Sequence, residues 1–219
     1  MRSIISDWLR KNWRWLLYIA LHTAAHHYWM THSHRIWAEP AVVGGPSHDG
    51  VELQIDLPAG QHVRNFGAPA DGKGLCVFAS MTMASRWHNV RPLFDVIHKI
   101  NEGGGWPEKV DGVIKRFAPD LKYVQYEGTD PSLLDKALSE GRLACVTYGY
   151  GERYQMQTIY HMVCLAHLDD RYAAVLDNNF PGTYEWMSRA EFLKRWKHPS
   201  GKGWAYVMLT PPPPPVPHN

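Results

Sequence analysis

From residue 51 to residue 210 the sequence sets helix-period segments ahead of strand-period segments, and that order restricts the folds open to it. A strand-like piece, 51–57, leads into a loop with Gly and Pro that runs to Gly74. Residues 76–88 then read as a helix, with Phe78 or Ala79, Met81 or Thr82, and Ser85 at turn spacing. Two further helices are expected over 93–101 and 108–117, parted by Gly103-Gly104-Gly105. Strand 121–126, helix 131–139 capped by Asp130, and strand 143–148 come next. Strands 160–167 and 172–177 flank the acidic turn Asp169-Asp170. A last helix, 188–196, opens on Ser188 followed by Glu191, a capping-box spacing, and strand 204–209 closes the series. This order predicts the α+β class, an N-terminal helical part packed on a C-terminal antiparallel sheet.

The two ends differ in character from this middle. Trp8, Trp13, Trp15, Trp29 and Trp37 all fall in the first 37 residues, half of the ten tryptophans in the chain. Arg2, Arg10, Lys11 and Arg14 precede an apolar run that starts at Trp15 and reaches Met30, interrupted by His22, His26 and His27. A spanning helix needs about 20 mostly apolar residues, more than this run supplies. Residues 1–37 therefore read as an aromatic and basic helix with four roles open: membrane anchor, helix lying on a membrane surface, secretory signal ending near Thr23-Ala24-Ala25, or soluble packing helix. If residues 1–30 insert, the basic side stays cytoplasmic and the rest faces outward, so the expected location is membrane-associated or extracytoplasmic. His22 and His26 stand one helical turn apart near His27, His32 and His34, but no acidic or thiol ligand is closer than Glu39. Partly exposed histidines beside a headgroup layer are expected, and no metal site. Residues 38–50 read as a linker, and residues 211–219, with Pro211 to Pro215 and Pro217, as an extended polyproline tail.

With 45% hydrophobic and 20% charged residues, a chain of 219 has enough apolar surface for one packed core. Its formal net charge is +2, and outside the N-terminus the Lys and Arg residues are scattered, which argues against a nucleic-acid partner. Three cysteines, Cys76, Cys145 and Cys164, exclude a disulfide framework and leave at least one free thiol.

Cys76 has the most informative setting of the three. The segment Asp71-Gly72-Lys73-Gly74-Leu75 delivers it to the first turn of a helix. There the dipole and the unpaired N–H groups favour a thiolate, and the Cys76 N–H is free to donate to an oxyanion. Cys145 and Cys164 sit inside apolar strands, and a symmetric hairpin over 149–160 places them opposite one another. A thiolate nucleophile needs an imidazole within reach and a third group to hold it. His161 opens its strand on the face of Val163 and Leu165, and the next strand ends in Asp177-Asn178-Asn179. A two-residue turn at Asp169-Asp170 sets His161 across from Asn178, and a three-residue turn sets it across from Asp177. His167 shares the face of His161 and is a weaker alternative base.

A Cys on a helix tip, a His leading a later strand and an Asp or Asn ending the next resemble the papain-like cysteine peptidases, most closely their C39-like branch. In that branch a final "Phe-x-x-x-Trp" helix recurs, matched here by Tyr184-Glu185-Trp186-Met187-Ser188 followed by Phe192 and Trp196. The resemblance covers about residues 60–210. It implies a papain-like fold, Cys76 as nucleophile, His161 as general acid and base, and Asp177 as orienter ahead of Asn178. The sixteen positions from His161 to Asp177 are similar to the family's spacing. The family's oxyanion Gln, about six residues before the Cys, has no counterpart: Ala70 and Asp71 stand there, and Asn65, ahead of Gln61, is the substitute donor. The implied reaction is thiol-dependent hydrolysis of peptide bonds in a peptide or protein substrate, without a cofactor. Acyl transfer to an amine, and a non-catalytic interaction module on the same fold, are the alternatives. Gly103 to Pro107 is expected either to wall the cleft, with Trp106 on substrate, or to form a plain loop.

Overall fold

The computed structural model describes residues 12–28 and 38–211. The chain divides into two compact units, Met1–Ala38 and Glu39–Asn219. In the first, helix α1 runs over residues 12–28, with Trp13, Trp15, Leu16, Leu17, Tyr18 and Ile19 exposed. Among the described residues no helix is long and apolar enough to cross a membrane, and no three His, Cys, Asp or Glu side chains gather as for a metal ion. The readings that rest on Arg2, Trp8, Arg10, Lys11, Trp29, His32, His34, Trp37 and residues 212–219 lie outside the described residues.

The second unit is of the α+β class. Its sheet has seven strands, all pairing antiparallel: β1 (Val42–Gly44), β4 (Tyr123–Gly128), β5 (Ala144–Tyr148), β6 (His161–Leu168), β7 (Tyr172–Leu176), β8 (Tyr184–Ser188) and β9 (Gly203–Met208). They lie in the order β1-β8-β7-β6-β5-β9-β4. A two-stranded ribbon joins β2 (Ser47–His48) to β3 (Val51–Glu52). Every residue of β6 and β9 is buried, whereas β1 and β4 at the edges are partly exposed. Near-continuous apolar runs such as Val163-Cys164-Leu165-Ala166 follow from cover on both faces.

Four helices flank this sheet: α2 (Cys76–Trp87), α3 (Pro107–Phe117), α4 (Ser132–Ser139) and α5 (Arg189–Lys197). Helix α2 is buried over ten consecutive residues, Cys76 to Ser85, and packs against β5 and β6. Small residues on it, Ala79, Ser80, Ala84 and Ser85, allow that close approach. Its buried hydroxyls are satisfied: Ser80 Oγ donates to Met162 O (3.1 Å), and Thr82 Oγ1 accepts from Ile97 N (3.3 Å). Helix α5 buries Phe192 and Trp196, and Trp196 Nε1 donates to Trp204 O (3.2 Å). Only Gly fits at 203, where a Cβ would stand 2.0 Å from Trp196 Cε2.

Several expected elements come out differently. Residues 93–101 are not one helix but two 3-10 turns, Arg91–Leu93 and Val96–Lys99. Pro92 starts the first turn, and the Ile97 N–H is claimed by the Thr82 hydroxyl, which takes the place of an intrahelical carbonyl. The strand expected over 51–57 is cut to Val51–Glu52, because Ile55 N donates to Ala166 O (3.0 Å) from an irregular segment. The 38–50 segment is not a free spacer: β1 pairs with β8, and Trp186 Nε1 donates to Gly45 O (3.0 Å). Residues 184–188, read as the lead-in to the last helix, form β8. At α5 only half of the capping box is made. Ser188 Oγ accepts from Glu191 N (3.2 Å), but the Glu191 carboxylate turns inward to Arg195 and Tyr150.

Candidate active site

Cys76 is the first residue of α2, and His161 the first of β6. The sulfur lies against the His161 ring and the N–H groups of Met162 and Val77. His161 Nε2 is 2.8 Å from Asp177 Oδ1, which leaves Nδ1 as the ring nitrogen for the thiol. Three residues far apart in the chain thus converge: Cys76 and His161 line a cleft of ≈ 680 Å³, and Asp177 lies buried behind His161.

The turn between β6 and β7 matches neither loop length set out from the sequence. Leu168 pairs with Ala173, and a bulge between Leu165 and His167 then sets Cys164 opposite Leu176. Continued past the strand ends, this register makes Asp177 the diagonal neighbour of His161 on the same face. Asn178 falls on the other face, and His161 bonds to Asp177 rather than to it. The Asn178 Nδ2 donates to Ser80 Oγ (2.9 Å), Met162 O (2.8 Å) and Cys76 O (3.2 Å), clamping α2 to β6. His167 is no base for Cys76 either, since its Nε2 is 3.2 Å from Asp169 Oδ2 and its ring packs on Trp186, away from the cleft.

Asp177 is fully buried and three donors hold it: His161, Tyr154 Oη (2.6 Å, to Oδ2) and Asn179 N (2.8 Å, to Oδ1). Burial pushes this carboxyl up, but His161 first and then Tyr154 and Asn179 bring it below its ordinary value. Burial likewise opposes charge on His161, yet Asp177, then Cys76, raise the ring to about 9. At Cys76 burial disfavours the thiolate, while His161, followed by the Met162 and Val77 N–H groups, lowers the thiol below its usual range. The net direction is a thiolate–imidazolium pair. Cys145, directly opposite Cys164 in the β5–β6 pairing, is the contrast: complete burial, then the neighbouring Cys164, drive its thiol well up. All three cysteines are free thiols.

Asn65 lines the cleft beside Cys76. Its Oδ1 accepts from Leu75 N (2.8 Å) and its Nδ2 donates once, to Asn179 Oδ1 (2.9 Å). The second Nδ2 hydrogen has no partner among the described residues. Asp71, which stands where an oxyanion donor was sought, is absent from the lining. Its Oδ1 accepts from Gly103 N (2.9 Å) and Lys73 N (3.0 Å), and the Gly103 N–H foremost keeps the carboxyl below its ordinary value. Gly104 and Gly105 line the cleft, but Trp106 does not; it is exposed, with Lys109 Nζ 5.0 Å above its ring.

Two residues of the site escaped sequence reasoning, Tyr154 and Asn179. Tyr154 lies in the 149–160 loop, which has no periodicity to assign it. Asn179 follows the Asp-Asn pair directly, and its Nδ2 also donates to Tyr154 Oη (2.9 Å). Behind them Arg153 Nε is 2.9 Å from Glu185 Oε1, and burial, then the Asp177 charge, raise Glu185. An α+β unit with a thiol, an imidazole and a carboxylate in series at a cleft has the makings of a nucleophilic site. No protein-family model matches this sequence, and no curated protein matches it.

Proposed function

We propose that this chain is a cysteine peptidase on a papain-like, C39-like fold. Cys76 acts as nucleophile, His161 as general acid and base, and Asp177 as the group that orients the ring. The observation that carries the reading is His161 shared between Cys76 and Asp177 at the helix tip. The Cys76 thiolate adds to a peptide carbonyl carbon, and the C=O electron pair moves onto oxygen. The Cys76 N–H and the free Nδ2 hydrogen of Asn65 are the donors for that oxyanion. His161 gives its proton to the leaving amine as the C–N bond breaks, leaving a thioester. A water deprotonated by His161 then attacks the thioester, freeing the carboxylic acid and restoring the thiolate. Transfer of the acyl group to an amine uses the same residues with a different acceptor. The exposed aromatic face of α1 supports a membrane surface as the partner of residues 1–30, in keeping with a membrane-associated or extracytoplasmic location.

The decisive measurement is alkylation by iodoacetamide near pH 6, followed by a peptide-library cleavage screen. Cys76 is expected to label far faster than Cys145 or Cys164, and His161→Ala to remove the excess. Slow, equal labelling of all three thiols overturns the catalytic reading in favour of an interaction module.

A further inference from the structure

We infer that the cleft selects acidic peptides, carrying Asp or Glu beside the bond presented to Cys76. This deepens the peptidase reading and rests on it. Acidic residues make up 21 of the 219 in the chain, nearly as many as the 23 Lys and Arg, so the molecule as a whole is close to neutral. The cleft is not. Among the described residues its lining contains Lys73 and Lys202 and no Asp or Glu.

The two lysines arrive from different elements, Lys73 from the loop ahead of α2 and Lys202 from the loop between α5 and β9. Both are exposed, and neither ammonium makes a hydrogen bond or ion pair among the described residues. Lys73 does interact with the Asp71 charge, but that carboxylate is already held by two backbone N–H groups and faces the Gly103 loop. Of the anions near the centre, the Cys76 thiolate is matched by the His161 imidazolium, and Asp177 is fully buried behind His161 and Tyr154, so neither presents much net charge to a ligand. Apart from the Cys76–His161 ion pair, whose two charges offset each other, the lining adds polar and aromatic side chains such as Asn65, Thr147, Thr158 and Trp204. A cleft with low-dielectric walls and one sign of charge focuses its field on the ligand. Carboxylates on the substrate give both lysines the partners that the protein withholds.

The test uses the full chain and pairs of fluorogenic peptides that differ only in Asp against Asn, or Glu against Gln, beside the cleaved bond. At low salt the acidic member should be cleaved with a kcat/KM several-fold higher, about five-fold for each lysine engaged. Lys73→Glu with Lys202→Glu should reverse the order. Because the Debye length is about 3 Å at 1 M salt, high salt should level it. Equal kcat/KM within each pair, or a preference that survives the double variant, overturns the inference. A second readout is independent of hydrolysis: the ratio of Cys76 alkylation by anionic iodoacetate to that by neutral iodoacetamide. It should fall about five-fold or more in the double variant, and an unchanged ratio also overturns acid selectivity. Rapid alkylation with a charge-sensitive ratio but no cleavage of any peptide rejects hydrolysis and leaves the anion-selective cleft standing.

Discussion

At the scale of single residues, the Cys76–His161 pair is held charged against its own burial. Desolvation is the largest influence on both Cys76 and His161, and on each it works against the ion. Mutual attraction, the Asp177 carboxylate and two backbone N–H groups outweigh it. The thiolate–imidazolium pair is therefore populated between the lowered ionisation of Cys76 and that of His161 at about 9. Peptidase activity should follow a bell in pH. The acid limb falls as the Cys76 thiolate is protonated, and the alkaline limb near about 9 falls as His161 loses its proton. An alkaline limb below pH 7 would refute the assignment of His161. Tyr154→Phe removes one of three donors from Asp177, a bond worth about 0.5–1.5 kcal/mol. It should lower kcat about three- to ten-fold and shift the NMR titration of His161, with the far-UV spectrum intact. An unmoved titration would reduce Tyr154 to packing. Cys76 and His161 were legible in the sequence because each sits at the end of an element whose period could be read, whereas period alone left Asp177 and Asn178 both open and only the resemblance put Asp177 first. Tyr154 was not, because its loop has none.

At the scale of elements, the cleft wall depends on a loop pressed against a helix. A Cβ at Gly105 would lie 2.4 Å from Val77 Cγ2, and one at Gly103 would lie 2.2 Å from the Lys73 carbonyl oxygen. Gly105→Ala should destabilise by about 1–3 kcal/mol through overpacking and slow Cys76 alkylation, since Val77 adjoins the nucleophile. Adding Val77→Ala should restore part of both losses, measured by urea unfolding and labelling rate. Additive losses would place the strain elsewhere. The glycine run was visible in the sequence, with a cleft wall and a plain loop equally open; close packing on Val77 decides for the wall. The pairing of β6 with β7 carries the complementary lesson. Strand parity left either Asp177 or Asn178 on the face of His161, and the bulge that makes Asp177 the diagonal neighbour leaves no mark that alternation alone reveals.

At the scale of the whole second unit, a buried charge network ties distant segments together beneath the site. Arg195 is fully buried on α5. Its Nε donates to Glu191 Oε1 (2.9 Å), Nη1 to Tyr148 Oη (2.8 Å), and Nη2 to Glu152 Oε1 (2.7 Å) and Glu39 O (3.0 Å). Tyr148 Oη in turn donates a hydrogen bond to Glu185 Oε2 (2.9 Å), which closes the path to Arg153 in the loop that bears Tyr154. Arg195→Met strips Glu152 of its cation and leaves Glu191 only the Lys194 contact at 3.4 Å, and it should cost about 3–5 kcal/mol. Chemical denaturation is the check, and a loss below about 1 kcal/mol would class the network with ordinary surface pairs.

The sequence by itself determined the α+β class, most of the helix and strand positions, and the thiol and imidazole that meet at the cleft. These follow from short-range causes: period, capping, and the special electrostatics of a helix tip. Only the tertiary structure decided that part of 38–50 joins the sheet, that Asn178 clamps α2 to β6, and that Asn65 lines the cleft beside Cys76. It also decided that two lysines from separate loops share a cleft with no carboxylate lining it among the described residues. Each of these depends on which distant segments lie side by side, and side-chain pairing across such distances leaves no local signature along the chain.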